Sequence, residues 1–290
     1  MFNAIPSPYL APFDNTFKIK KYPAAPPKHG LSKQDCKKRL AELSLTISDL
    51  QRILYAHNQY SILLIFQAMD AAGKDSTIRA VMDNVDPNGS QVYSFQKPSE
   101  DELKHDFLWR TVNKQPPHGR IGIFNRSYYE EVLIVKVHPE FLRTQKIDAS
   151  DVNEEFWENR FASILDHEKH LARNRTIILK FWLNVSKKEQ KKRFLSRIDE
   201  PQKNWKFSKE DINERQYWDE YMNAYQTCIS QTSRPWAPWY AIPADDKPFM
   251  RMCVADIIVA TMRSLGLTYP RIGQDEHKAF QKMRDILENE

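Results

Sequence analysis

Between Asp70 and Thr77 the chain sets a carboxylate, three small residues, a lysine, a second carboxylate and two hydroxyls in succession: Asp-Ala-Ala-Gly-Lys-Asp-Ser-Thr. Small residues let backbone N–H groups approach an anion closely, and a lysine beside them brings a mobile positive charge. The chemistry this suits is the holding of phosphate. The bland alternative is an ordinary turn between a strand and a helix, which is what most Gly-Lys pairs mark. The fit to the phosphate-loop pattern G-x-x-x-x-G-K-[ST] is incomplete. Ala68 stands at the first glycine, and Asp75 follows Lys74, displacing Ser76 and Thr77.

Two further stretches carry groups of the same kind. Asn125-Arg126-Ser127 closes the apolar run Ile121-Gly122-Ile123-Phe124, at a place where phosphate-loop proteins normally hold Mg²⁺ with an Asp. Glu130 and Glu131 follow just downstream. From Lys187 to Lys209 nine basic residues stand against three acidic ones, Glu189, Asp199 and Glu200. A charge run is ordinarily a solvated face, but this one directly follows an apolar strand, a position that favours a lid over phosphates.

The elements that must position these groups follow from periodicity. Ile62 to Phe66 is an unbroken apolar run, as expected of a strand buried on both faces of a parallel sheet. Asp75 to Val85 has the composition of a helix, so strand, loop and helix form a cradle. Gln91 to Phe95, Ile121 to Phe124, Thr176 to Val185 and Trp239 to Ile242 complete five strands. Between them Ser99 to Asn113 and Asp151 to Arg173 read as helices, and Ser186-x-x-Glu189 and Ser208-x-x-Asp211 as helix-starting caps. Leu40, Leu43, Ile47, Leu50 and Leu54 recur at helical spacing within 32–57, a stripe that packs on the sheet or forms a subunit seam. Helices over 248–265 and 275–288 are expected to close the domain. Strands alternating with helices predict an α/β fold: a doubly wound parallel sheet of the P-loop nucleotide-kinase type, with a helical lid.

At 290 residues the chain suits one large domain. Residues 1–30 hold six prolines, at 6, 8, 12, 23, 26 and 27, and read as an arm lying on the body or on a neighbouring subunit. Residues 31–290 then form a single domain whose basic lid lies around 186–210. The net charge of +5 is mild; it suits a polyanionic ligand without requiring one. Three scattered cysteines, Cys36, Cys228 and Cys253, make neither a disulfide framework nor a metal motif. With no leader-like segment and no 18-residue apolar run, a cytoplasmic protein with no membrane partner is expected.

Five blocks, in order, resemble the polyphosphate kinase 2 family over about residues 30 to 265. They are Phe66-Gln67-Ala68-Met69-Asp70-Ala71-Ala72-Gly73-Lys74-Asp75, His105-Asp106-Phe107-Leu108-Trp109-Arg110, Phe124-Asn125-Arg126-Ser127-Tyr128-Tyr129-Glu130, Lys203-Asn204-Trp205-Lys206-Phe207 and Ala237-Pro238-Trp239-Tyr240 with Asp245-Asp246-Lys247. The block with Asn125 in place of an aspartate looks like the family's third class, which implies that both AMP and ADP are acceptors. The resemblance implies a polyphosphate:nucleotide phosphotransferase, reversible, with Mg²⁺ (or Mn²⁺) as cofactor. It also implies adenine nucleotides as substrates, with guanine nucleotides as further candidates, and a homo-oligomer, dimer or tetramer; nucleic acid is not an expected partner. Lys97 in the turn after the second strand, Lys203 and Lys206 are the residues it marks for the polyphosphate. The family commonly has glycine where this chain has Arg175.

Phosphoryl transfer needs positioning and charge neutralisation above all. Lys74 and the loop at Ala71, Ala72, Gly73, Asp75 and Ser76 would hold the transferring group. Asp70 would hold Mg²⁺ or its waters, or orient the attacking phosphate. Arg126, Arg193 and Arg197 would take phosphate oxygens, for which planar guanidinium is matched. Asp106 and Arg110 would border the nucleotide. Asn125 offers the metal only a neutral oxygen, so Asp70 and Glu130 would supply the charge. An ATP-dependent nucleoside or nucleotide kinase is the competing enzyme, and a non-catalytic polyanion binder the competing class. An ATP user needs a base pocket for its donor, whereas a polyphosphate user needs only a charged track.

Overall fold

The computed structural model describes residues 1–290. Five strands form one wholly parallel sheet: β1 (Ser61–Gln67), β2 (Ser90–Ser94), β3 (Ile121–Asn125), β4 (Thr176–Asn184) and β5 (Trp239–Pro243), in the order β2-β3-β1-β4-β5. Every residue of β1 and β4 is buried, which is why both read as largely apolar runs, Lys180 in β4 being the one charged residue. The helices are α1 (Lys33–His57), α2 (Lys74–Val81), α3 (Trp109–Val112), α4 (Ile134–Val137), α5 (Glu154–Arg173), α6 (Lys187–Asp199), α7 (Lys209–Glu214), α8 (Trp218–Thr232), α9 (Lys247–Ser264) and α10 (Gln274–Glu288). They flank the sheet in two groups: α1, α2 and α9 pack on one another, as do α4, α5 and α8. The α1 stripe turns Leu43, Ile47 and Leu54 inward against α9. No helix is long and apolar enough to cross a membrane.

The proline-rich start covers a sheet edge. Leu10 bridges antiparallel to Tyr240 of β5, the Ala11 N–H donates to the Trp239 carbonyl at 2.9 Å, and the Ala241 N–H to the Tyr9 carbonyl at 2.8 Å. The Tyr240 hydroxyl donates to the Ile5 carbonyl at 3.0 Å. An unpaired β5 edge would invite association; the arm pairs it within the same chain. Arg175, just before β4, has φ 66°, in the left-handed region where glycine is cheapest.

Two expectations fail and two helix caps form with partners that differ in part, each for a local or tertiary reason. Residues 99–113 do not form one helix; a 3-10 turn at Glu102–Lys104 and the single turn of α3 stand there instead. Asp106 Oδ1 accepts the Leu108 N–H at 2.9 Å, a side-chain bond that competes with the helical ladder. Ser186 caps α6 by accepting the Glu189 N–H at 3.1 Å, but Glu189 does not return to the cap; its carboxylate receives Arg193 Nε at 2.9 Å. Ser208 likewise caps α7 through Glu210 N rather than Asp211, which is taken by Arg197 at 2.9 Å. Finally, α10 forms where expected but buries none of its residues, so it does not close the domain.

Candidate active site

The C-terminal ends of the strands carry the polar groups, as open α/β sheets place their ligand sites. β1 runs out into Ala68–Gly73, where Ala71 (φ 59°) and Gly73 (φ 107°) are left-handed and turn the chain into α2. β3 ends in Asn125 and Arg126 (φ 64°), whose N–H donates to the Phe66 carbonyl at 3.0 Å, docking the two strand ends together. The Ser186 N–H after β4 donates to Asp245 Oδ1 at 2.7 Å, which ties the start of α6 to the segment after β5. Between these ends lies a cavity of about 610 Å³. Eight cations line it, Lys74, Lys97, Arg126, Arg193, Arg197, Lys203, Lys206 and Lys247, against two carboxylates, Asp70 and Asp75.

Lys74 opens α2 and is buried; its Nζ donates to the Ala68 carbonyl at 2.9 Å. Burial and then the nearby Arg126 hold its pKa below the usual lysine value, with Asp70, Glu130 and Asp75 opposing. Arg126 Nη2 donates to Asp70 Oδ1 at 2.7 Å, and Nη1 lies 3.7 Å from Glu130 Oε2. Glu130 and then Asp70 push its guanidinium pKa upward against the cost of burial. Asn125 Nδ2 donates to Asp75 Oδ1 at 2.6 Å and to Ser94 Oγ at 3.3 Å. An aspartate at 125 would set two carboxylates face to face there. The amide therefore satisfies Asp75 where a charge would repel it.

Arg193 sits differently from the expectation that it reaches phosphate. Its Nε donates to Glu189, Nη1 to the Ala72 and Ala71 carbonyls at 2.6 and 3.2 Å, and Nη2 to the Ala244 and Asp245 carbonyls at 2.6 and 3.4 Å. All five donors are thereby engaged by protein. The side chain clamps the loop at Ala71 and Ala72 to the segment after β5. Arg197 remains on the wall, donating through Nη1 to the Lys206 carbonyl at 3.0 Å and to Asp211 Oδ2.

Of the residues singled out from sequence, Asp70, Ala71, Gly73, Lys74, Asp75, Ser76, Lys97, Asn125, Arg126, Arg193, Arg197, Lys203 and Lys206 line this one cavity. Ala72 is buried behind it. Asp106 and Arg110 do not line it: Asp106 makes its own turn, and Arg110 Nη2 donates to the Gln96 carbonyl at 2.7 Å, supporting the loop that carries Lys97. Glu130 faces a separate cavity of about 40 Å³ with Glu214, Tyr221 and Tyr225; Asp70 and Arg126 border both spaces. Ser94, Gln96, Ser196 and Lys247 are wall residues that sequence reasoning missed. Lys247 adjoins the Asp245-Asp246 pair, and that was the only signal for it.

No group of three or more His, Cys, Asp or Glu side chains is arranged to hold a metal by itself. The donor set still suits a hard cation of the Mg²⁺ kind, which takes one or two carboxylates and completes its shell with water and substrate phosphate oxygens. Asp70 and Asp75 are the carboxylates on the cavity wall.

A family model described as Polyphosphate kinase 2 (PPK2) matches residues 30–266. An ADP-polyphosphate phosphotransferase of Rhodopseudomonas palustris is 54% identical over 242 residues, covering 83% of this chain and 84% of the relative. An AMP/ADP-polyphosphate phosphotransferase of Meiothermus ruber is 40% identical over 259 residues, covering 89% and 93%. The crystal structure of Polyphosphate Kinase 2 from Arthrobacter aurescens TC1 superposes with a TM-score of 0.85 at 35% identity, covering 97% of this chain and 99% of that one.

Proposed function

The chain belongs to the polyphosphate kinase 2 family, and on that premise we propose that it moves phosphate between inorganic polyphosphate and AMP or ADP, making ADP and ATP reversibly. The observation that carries the reading is the cavity wall: eight cations, two carboxylates and only two hydrophobic residues, Ala71 and Phe95. A donor such as ATP needs a second base surface besides the acceptor's, and Phe95 is the one aromatic side chain on this wall. A polyphosphate chain needs only charge.

In the transfer, an oxygen of the acceptor's terminal phosphate attacks the terminal phosphorus of the polyphosphate. The new P–O bond forms as the bridging P–O bond breaks, and the chain leaves one phosphate shorter. Lys74 and the loop amides from Ala71 to Asp75 hold the transferring group as charge spreads over its oxygens. Arg126, oriented by Asp70, faces the same group from the β3 end. Arg197, Lys97, Lys203 and Lys206 hold neighbouring phosphates, and the segment around 186–210 closes over them as a lid. Arg193 fixes the loop rather than the phosphate.

Kinases of this family generally use divalent metal ions. Mg²⁺, or Mn²⁺ in its place, would be held by Asp70 and substrate oxygens and would neutralise charge on the phosphates; Glu130 would act on it from the adjoining cavity. Acceptance of guanine nucleotides and assembly as a dimer or tetramer belong to the same proposal. The test offers AMP and polyphosphate with Mg²⁺ and no ATP. ADP and then ATP are expected; no ADP at all would refute the activity.

A further inference from the structure

The cationic surface does not stop at the cavity wall. Lys247 lines the cavity, and Arg251 follows one helical turn later on α9, hence on the same face. α9 packs against α2, where the Met250 sulfur meets Thr77 Oγ1 at 3.9 Å. α2 carries Arg79, which lines a shallow groove of about 490 Å³ between α1 and α2 together with Lys37 and a single carboxylate, Asp83. The cations therefore step from the phosphate cavity across the α2–α9 seam to a second depression.

None of Lys37, Arg79, Lys247 and Arg251 makes a salt bridge, Asp83 being the one carboxylate in the groove. The carboxylates along α9 and at the start of α6 are spent elsewhere: Asp246 lies 3.4 Å from Lys33, Asp256 3.4 Å from Arg39, and Glu189 2.9 Å from Arg193. Arg251 Nε is buried with no hydrogen-bond partner. The outer nitrogens make no hydrogen bond within the protein, and a half-buried guanidinium beside like charges is costly, so an anion bound to those nitrogens would relieve it. Burial, then Arg79 and Arg193, hold the Arg251 pKa below the usual value, and no carboxylate opposes them. The lid's wall cations are the contrast: Arg197 holds Asp211 and Lys203 holds Glu200.

We propose that the polyphosphate chain leaves the cavity past Lys247 and Arg251 and crosses the α2–α9 seam to Arg79 and the Lys37 groove, a distal subsite for phosphates remote from the reacting end. The proposal rests on the polyphosphate activity proposed above. A chain carrying about one charge per internal phosphate is the ligand that a line of spaced, unpaired cations fits; a nucleotide is too short to use it.

The experiment measures ATP formation from ADP with two donors, long-chain polyphosphate and tetraphosphate, for the wild type, Arg79→Glu and Arg251→Gln. The expected result is a rise in KM for the long chain of roughly threefold to tenfold, the size of a lost or reversed exposed charge contact. KM for tetraphosphate, and kcat with either donor, should stay at the wild-type values. A KM that rises equally for both donors, or for neither, overturns the distal subsite. A wild type that makes no ATP from either donor overturns the activity itself, so the two failures are distinct. Arg79 is exposed and its reversal leaves the core untouched; if Arg251→Gln does not fold, Arg79→Glu alone decides.

Discussion

Lys180 lies fully buried in β4 and Lys74 nearly so at the start of α2, yet only Lys180 has its charge answered by a bonded carboxylate. Lys180 Nζ donates to Glu168 Oε2 at 2.6 Å, to the Tyr129 hydroxyl at 2.9 Å and to the Thr232 carbonyl at 2.8 Å. Glu168 Oε1 in turn accepts the Tyr128 and Tyr129 hydroxyls at 2.9 and 2.7 Å. Every donor and the counter-charge are provided, so the network is closed to any ligand. Lys74 has one carbonyl, and its nearby carboxylates are bonded to other partners, Asp70 to Arg126 and Asp75 to Asn125. Burial depresses the pKa of both lysines. In the core the protein offsets that cost itself, whereas in the cavity it leaves the cost for a polyanion to relieve. A buried cation signals a binding site when its partners are incomplete, and a structural tie when they are complete.

The contrast breaks most visibly in the core. Lys180→Met should lower folding stability by about 3–5 kcal/mol, because Glu168 is left buried and uncompensated. The double change with Glu168→Leu should recover part of that loss, since the unpaired charge is gone while the buried Tyr128 and Tyr129 hydroxyls lose their acceptor. Chemical denaturation reads both; a single variant within about 1 kcal/mol of wild type would show the network to be dispensable.

Lys74→Ala should do the opposite, leaving the denaturation midpoint near wild type while the rate falls about 10²–10³-fold. Retention of activity within about tenfold, some 1.4 kcal/mol, would remove Lys74 from the transfer step.

Arg193→Lys tests whether a cation with complete partners can sit on the cavity wall and still serve only position. It keeps the charge and loses the planar fork. A drop in kcat of about tenfold to 10²-fold is expected from a loop shifted out of register, with KM for polyphosphate changed little. A rise in that KM with kcat preserved would instead mark Arg193 as a phosphate ligand.

Asn125→Asp is the mildest probe: it takes away the amide donor of Asp75 and sets a second carboxylate beside it, at a half-exposed place. A change of about twofold to fivefold in the AMP to ADP preference is expected from one added exposed charge, together with a shifted Mg²⁺ dependence. An unchanged preference would end the charge account of dual acceptor use, and an unchanged Mg²⁺ titration would place Asn125 outside the metal's reach.

The strands were legible because their signal is local: Ile62–Phe66 is apolar throughout and Thr176–Asn184 mostly so, Lys180 being its one charged residue, and burial on both faces favours that. The cradle was legible for the same reason, since small residues, Lys74 and the helix start lie within one turn of chain. Residues 99–113 misled because Asp106 and Ser99 bond to nearby backbone N–H groups, an option that helical periodicity does not register. Glu130, one turn past β3, looked equivalent to Asp70 by spacing, yet Arg126 stands between the two cavities and Glu130 faces the smaller. Arg251 carried no signal at all, being one cation in a sequence with 43, and Lys247 had only its place beside Asp245-Asp246.

By itself, then, the sequence determined a parallel α/β sheet, the place of the phosphate loop and the stock of cations near it, because periodicity and short-range spacing encode these directly. Tertiary structure decided which cations are free. Arg193, Arg197 and Arg251 are alike as residues; spacing on one helix sets Glu189 beside Arg193, but nothing near them in the chain predicts that the first also meets four carbonyls, the second Asp211, and the third no partner for its Nε. Those partners come from other strand ends and other helices, brought together only when β1, β4 and β5 lie side by side. Charge is a property of the residue, but neutralisation is a property of the fold, and the chemistry of this site depends on neutralisation.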